Sequence, residues 1–169
     1  MTRLEPVVSV LRVDDMKKWM YYAIQWTWGI VLNIIGGLVF LCTLAADGIY
    51  WLFKHKHCCF FYKYRNAICI VVPWNFGGLE LGMFFMRGRL NESVCAHEYG
   101  HSIQNLWWGP LFIPVIMIPS AARYWWRIIY RKWFYSKIRK ALPPYDAIWF
   151  EGQATELGNK AAENYWPWL

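Results

Sequence analysis

The clearest pattern along the chain is where charge is missing. From Trp19 to Ala46 no charged side chain occurs, and Asp14, Asp15, Lys17 and Lys18 close the polar segment before it. A helix needs about 20 apolar residues to cross the hydrocarbon core, so this run predicts a transmembrane helix with length to spare. Signal-peptide apolar regions are shorter and end in a small-residue cleavage pattern that is not seen here, so the helix is read as retained. Trp19, Tyr21, Tyr22, Trp26 and Trp28 crowd its first turns, as aromatic residues do at a membrane interface. Gly36 and Gly37 in its middle would let another helix approach closely. Arg3, Arg12, Lys17 and Lys18 precede it and Lys54, Lys56, Lys63 and Arg65 follow, so the balance of cations sets no orientation.

A second uncharged run, Asn105–Ala122, carries Pro110, Pro114 and Pro119. Prolines at that spacing disfavour one unbroken helix. The expectation is a re-entrant or interfacial segment, or a kinked helix packed against the first. Residues 123–140 then alternate cations with aromatics, with Arg123, Arg127, Arg131 and Lys132 on one helical face. That is the composition of a helix lying in a headgroup layer. Between the first helix and this region, Asn66–Met86 is β-branched at its start and punctuated by Pro73 and Gly77-Gly78. It predicts a strand, a turn and a second strand. A last helical pattern runs from Asp146 to about Asn164, after Pro143-Pro144.

Composition narrows the class. Of 169 residues, 57% are hydrophobic, 20% aromatic and only 17% charged, against about 25% charged in ordinary soluble domains. Disorder is excluded, because it requires low hydrophobicity and high charge. A net charge of +7 would suggest nucleic acid on a soluble protein. Here the cations flank apolar stretches beside Trp and Tyr and no nucleic-acid fingerprint occurs, so the lipid bilayer is the expected partner. The five cysteines (Cys42, Cys58, Cys59, Cys69, Cys95) do not form a disulfide framework. Cys42 reads as a small hydrophobe. Lys54-His55-Lys56-His57-Cys58-Cys59 reads first as a basic juxtamembrane turn. A second metal site is the weaker reading there, because adjacent cysteines give no standard zinc spacing.

The motif that carries chemistry is His97-Glu98-Tyr99-Gly100-His101. Histidines at i and i+4 lie one helical turn apart on one face, so both imidazoles can reach one Zn2+. The Glu after the first His is placed to hold a metal-bound water and take its proton. No third histidine follows, so a carboxylate is expected as third ligand, and Asp146, Glu151, Glu156 and Glu163 are the candidates. Glu151 is favoured, because a carboxylate next to Trp149 and Phe150 on an apolar helix needs a cation to justify burial. Its small neighbours Gly152 and Ala154 would let its helix come close to the motif helix. Tyr145 and Asn105 are the candidate donors to an oxyanion. The segment Leu79–Phe85 is the candidate edge for binding a substrate backbone.

His97-Glu98-Tyr99-Gly100-His101-Ser102-Ile103-Gln104, followed by Gly109-Pro110-Leu111 and the proline-rich run, resembles a group of small bacterial membrane-associated proteins. These are similar in outline to gluzincin metallopeptidases. The resemblance covers about residues 66–160, with Glu151, Ala154, Leu157 and Gly158 matching the later part. It implies His97, His101 and Glu151 as zinc ligands and Glu98 as general base. Many gluzincins carry an Asp four residues after the ligand Glu to orient a histidine; this chain has Thr155 there.

The expected architecture is α+β and mainly α. A polar segment at 1–18 and a transmembrane helix at 19–46 precede a zincin-like domain at 47–169, with a short β-hairpin and interfacial segments 105–122 and 123–140. The expected function is hydrolysis of peptides or membrane proteins by a zinc-activated water, in an integral protein of a bacterial cell membrane. The alternative is a non-catalytic membrane scaffold with a structural zinc. A structural site would be closed by a fourth protein ligand, for example Glu156 or Cys95.

Overall fold

The computed structural model describes residues 18–75, 77–89, 94–138 and 140–163. The polar segment expected at 1–18 lies, apart from Lys18, outside the described residues, and so does the side chain of Glu163.

The uncharged N-terminal run forms two helices, α1 (Lys18–Thr27) and α2 (Ile30–Lys54), rather than the single helix expected at 19–46. The break falls at Trp28–Gly29, whose amides both donate to the Ile24 carbonyl. Polar side chains within the run cause it. Gln25 and Asn33 are fully buried, and Asn33 donates to the Gln25 carbonyl across the break at 2.5 Å. Helix α2 continues past Asp47 to Lys54 and is long and apolar enough to span a membrane. One face, with Leu32, Asn33 and Gly36, is buried, while Ile34, Leu38, Leu41 and Leu44 are exposed. Gly36 does permit a close approach, but of a strand turn: a Cβ there would strike the Leu81 carbonyl and the Phe84 ring.

The β region is larger than the expected hairpin. Strands β1 (Phe60–Tyr64), β2 (Ala67–Val72), β3 (Gly78–Leu81) and β4 (Phe84–Gly88) form one sheet in the order β1-β2-β4-β3. The β2–β4 pair is parallel and the other two pairs are antiparallel. Strands β3 and β4 join through the two-residue turn Gly82-Met83, with Gly82 at φ +78°. Glycine takes that left-handed conformation without a Cβ penalty. Val71, Cys69 and Phe85 form a core with Tyr99 and Ile103 of helix α3 (Val94–Trp108).

After α3 and a 3-10 turn at Gly109–Leu111, where Gly109 takes φ +50° against the Trp28 indole, the chain bends by 117° before Ile113. Beyond the turn comes a helical arm: a wide π turn at Ile113–Met117, α4 (Ile118–Ile129), a second π turn at Tyr130–Phe134 and α5 (Tyr135–Ile138). Pro114 lies in the first turn of the arm, where a missing N–H is tolerated, and Pro119 comes just after the wide π turn. Helix α6 (Trp149–Glu163) returns to pack along α3. The two helices touch through small residues: a Cβ on Gly100 would strike the Ala154 backbone, and one on Gly158 would strike the Ala96 carbonyl. The arm therefore does not separate His97 from Glu151.

Candidate metal centre

Helices α3 and α6 bring three side chains to one point. His97 and His101 project from the same face of α3, one turn apart. Their Nε2 atoms lie 3.0 and 3.2 Å from Oε2 of Glu151, which is fully buried in the first turn of α6. The ligand atoms of this trio all fall within 4.8 Å of one another, so the group could hold a metal ion. Neighbouring ligand atoms of a tetrahedral zinc stand about 3.3 Å apart, close to this spacing.

The surroundings fix both rings. His97 Nδ1 is 2.9 Å from the Thr155 hydroxyl, and His101 Nδ1 is 2.7 Å from Gln104 Oε1. The Gln104 amide in turn donates to the Phe150 carbonyl at 2.8 Å and to Gln153 Oε1 at 2.9 Å. With its amide so used, Gln104 offers His101 only an acceptor, so the His101 proton sits on Nδ1 and the Nε2 lone pair faces Glu151. A lone pair against a carboxylate oxygen at 3.2 Å is repulsive unless a cation or a second proton lies between them. Glu151 Oε1 is buried without a hydrogen-bond partner, which is a second unmet demand at the same point. The donor set fits a divalent cation such as zinc: two imidazoles with Nδ1 anchored and a carboxylate with a vacant lone pair.

Without a cation, a second proton on His101 is what relieves its contact with Glu151. Burial opposes ionisation of Glu151, but hydrogen bonds from His101 and His97 overcome it and hold the carboxyl well below its usual range. Burial likewise disfavours a charged His101, yet the Glu151 hydrogen bond and the nearby Glu98 raise its pKa. The two groups thus stabilise each other's charged forms in the absence of any ion.

Glu98 is buried beside the trio, and burial raises its pKa while the two histidines pull the other way. Its carboxyl group packs flat on Gly78 of β3, where a Cβ would overlap it. Next to it, Glu80 is buried with Oε1 accepting from the Gly82 amide at 2.5 Å and Oε2 unpartnered. Burial pushes the Glu80 carboxyl up to about 8.

These groups line a cavity of about 560 Å3 between β3, α3 and the arm, walled on its far side by Phe112, Ile116 and Tyr124. Strand β3 is a sheet edge and borders this cavity with Gly78–Glu80, so only Leu79 and Glu80 of the expected Leu79–Phe85 edge lie at the site; Phe84 and Phe85 belong to the inner strand β4. Of the two expected oxyanion donors, only Tyr145 is here. Its hydroxyl is 3.2 Å from Ser120, its ring is 6.3 Å from that of His97, and burial pushes its phenol up to about 12. Asn105 faces the other side of α3, donating to Gln25 at 3.0 Å. Arg123 and Arg127 lie over the Tyr145 ring and donate to the carbonyls of Pro143–Tyr145, so half of the expected cationic face ties this loop to the arm.

The other carboxylates fall away. Asp146 is exposed at the cavity rim, and Glu156 is exposed and paired with Lys160 at 2.6 Å. Cys95 is buried against the sheet, 3.3 Å from the Tyr62 hydroxyl. Among the described residues, no fourth His, Cys, Asp or Glu joins the trio. Thr155 stands at the position expected to orient a histidine and does so through its hydroxyl, whereas nothing in the sequence marks Gly78, Glu80 or Ser120 for these places. Gln104 is marked only by its i+3 spacing to His101.

The chain matches no family model, and no curated protein or solved structure matches it either, so the arrangement of its own residues carries the functional argument.

Proposed function

We propose that the protein is a membrane-bound zinc peptidase acting on peptide bonds through Glu98, with His97, His101 and Glu151 as the metal ligands. The observation that carries this is the convergence of the two Nε2 atoms on a buried, half-satisfied Glu151 beside a second buried carboxylate in an open cavity. A zinc ion bound there would supply Lewis acidity to a carbonyl and a water acidic enough to be deprotonated near neutral pH. The Glu98 carboxylate is the group that would accept a proton from such a water and deliver it to the leaving amine. The Tyr145 phenol, still protonated at neutral pH, donates to the developing oxyanion. The edge of β3 offers backbone groups to an extended substrate, and the apolar wall of the arm excludes water. Three ligands rather than four favour this reading over a structural zinc, which four protein ligands would close. The exposed apolar side of α2 favours attachment to a bilayer, with substrates near its surface.

The test is zinc content beside peptidase activity of the detergent-purified protein. Glu151→Ala is expected to lose the zinc. Glu98→Gln is expected to keep it and to lower turnover by about 100-fold or more. Equal activity in Glu98→Gln would overturn the assignment of the base, and stoichiometric zinc in Glu151→Ala would overturn the third ligand.

A further inference from the structure

At the far end of α2 a second set of metal-binding groups meets, and it has no part in the site above. Asp47 is an acidic residue inside an otherwise apolar helix, and it is buried. An ionisable residue in such a helix calls for a specific partner. The chain after α2 folds back over it. Asp47 Oδ1 accepts the amides of Cys58 and Cys59 at 2.7 and 2.9 Å, and Oδ2 is 2.7 Å from His57 Nδ1. This brings one carboxylate oxygen and the two Sγ atoms within 4.8 Å of one another.

We infer that Asp47, Cys58 and Cys59 form a second, thiolate-rich zinc site at the end of the membrane helix. The sulfur spacing is the first argument. Two thiolates at the usual Zn–S length of about 2.3 Å and a tetrahedral angle stand about 3.8 Å apart. Cys58 and Cys59 Sγ are 3.8 Å apart, and both cysteines are free. Side chains of adjacent residues point to opposite faces in extended chain, so their convergence here is a product of the turn that Asp47 fixes. The carboxylate is the second argument. It accepts the two amides on Oδ1 and meets His57 at Oδ2, and one of its oxygens lies within 4.8 Å of both sulfurs. His57 holds the carboxylate from behind, as outer partners of metal ligands do. Charge is the third. Two thiolates and a carboxylate exceed a divalent ion by one negative charge, and Arg89, which donates to the Cys58 carbonyl at 3.1 Å, lies beside them. The oxygen ligand favours zinc over a purely sulfur-seeking cation. Binding releases the two thiol protons to water, and the fourth position is left to water. Spacing along the sequence did not reveal this site, because its third ligand lies on a helix eleven residues before the cysteines.

The inference does not rest on the peptidase reading, and cobalt separates the two sites. The site at His97 contains no sulfur, so a thiolate-to-cobalt charge-transfer band in the near ultraviolet reports the second site alone. With reduced full-length protein in detergent, Co2+ titration is expected to bind two equivalents and to produce the band. His97→Ala with His101→Ala should bind one equivalent and keep the band. Cys58→Ser with Cys59→Ser should bind one equivalent and lose it. Cys58→Ser alone, the milder change should the double variant misfold, should weaken the band-forming site at least about tenfold. Absence of the band with free thiols verified, its survival in either cysteine variant at full strength, or a Cys58–Cys59 disulfide persisting under reduction would each overturn the site.

Discussion

Helix α3 and the arm that follows it are joined end to end across the bend before Ile113, yet their surfaces are inverted. Helix α3 buries Glu98, His101, Ser102, Gln104 and Asn105, whereas α4 buries no residue and exposes Trp125 and Trp126. Polar groups lie inside and large apolar ones outside. Polar groups of α3 are affordable because each side of the helix is a built network. On one side stand His97, His101 and Gln104, joined to Glu151 and Phe150 of α6. On the other, the Tyr21 hydroxyl meets Ser102 at 2.8 Å, and Gln25 reaches the same serine at 3.2 Å. The arm ties Ser120, Arg123 and Arg127 to the Pro143–Tyr145 loop but leaves most of its large rings to the surroundings, as does the outer face of α2. One chain thus holds two kinds of surface, buried polarity that is largely hydrogen-bonded and a large apolar face turned outward.

The contact between α3 and α6 is the largest effect to break. Gly100→Ala places a methyl group against the Ala154 backbone, which cannot move aside as a flexible side chain would. Overpacking of this kind costs about 3 kcal/mol. Denaturant unfolding in detergent is expected to show that loss together with loss of metal, because Glu151 rides on the displaced helix. Gly78→Ala acts on the same site from the sheet side. It pushes away the Glu98 carboxyl without touching a ligand, so zinc content should hold while turnover falls. An active Gly78→Ala would mean that Glu98 is not held where the chemistry needs it.

The next effect is on the outer partners of the metal. Thr155→Val removes the hydroxyl at 2.9 Å from His97 Nδ1 and keeps the shape of the side chain. Affinity for zinc is expected to fall by about 10- to 100-fold in a competition titration against a chelator. Tyr145→Phe, at the part-buried Ser120–Tyr145 pair, should alter turnover with a much smaller effect on affinity.

Much of this side of the molecule was legible in the sequence, and the reason is local. The pair His97/His101 follows from helix periodicity, and Glu151 from the improbability of a carboxylate among aromatics. Thr155 stands where the gluzincin pattern has Asp, and it still reaches the histidine, because a hydroxyl can accept the Nδ1 proton as a carboxylate would. Less legible were features made by distant parts. The break at Gly29 depends on Gln25 and Asn33 finding partners on α3 and the strand turn. Strand β1 is hidden by Lys63 and its exposed aromatics, and only its pairing with β2 defines it. Glu80 appears in the sequence as one acid in a strand. Only the fold shows it buried beside Glu98.

Glu80 gives a smaller, pH-dependent effect. Its carboxyl titrates near 8 in the folded chain, against about 4.3 when unfolded. Between those values the folded state binds the extra proton, so stability contributed by the neutral acid is present at low pH and is lost as pH rises to about 8. In chelator-treated protein, Glu80→Gln should match the parent near pH 5 and exceed it in stability above pH 8. The difference is expected to be on the order of 1–2 kcal/mol, after allowing for relaxation around a buried charge. Parallel stability curves for the two proteins across that range would show that Glu80 is already ionised.

The smallest effect on stability belongs to the arm, and it is the one that sharpens the comparison most. Ile129 of α4 is 43% exposed, and Asn159 of α6 is exposed on the same molecule. Replacing either with cysteine touches little packing, so unfolding free energies should stay within about 0.5 kcal/mol of the parent. A fluorophore attached at each position, in a background with Cys42→Ser to remove the exposed native thiol, then reports what each surface faces. In vesicles containing lipids brominated on their acyl chains, the label from Ile129→Cys is expected to be quenched and the label from Asn159→Cys to be left bright. The outward rings of the arm face hydrocarbon if this holds, and the inversion between α3 and α4 is then the boundary between water and lipid. Equal brightness at both positions would instead mean that the arm is covered by protein, and its exposed tryptophans would mark an interface between chains.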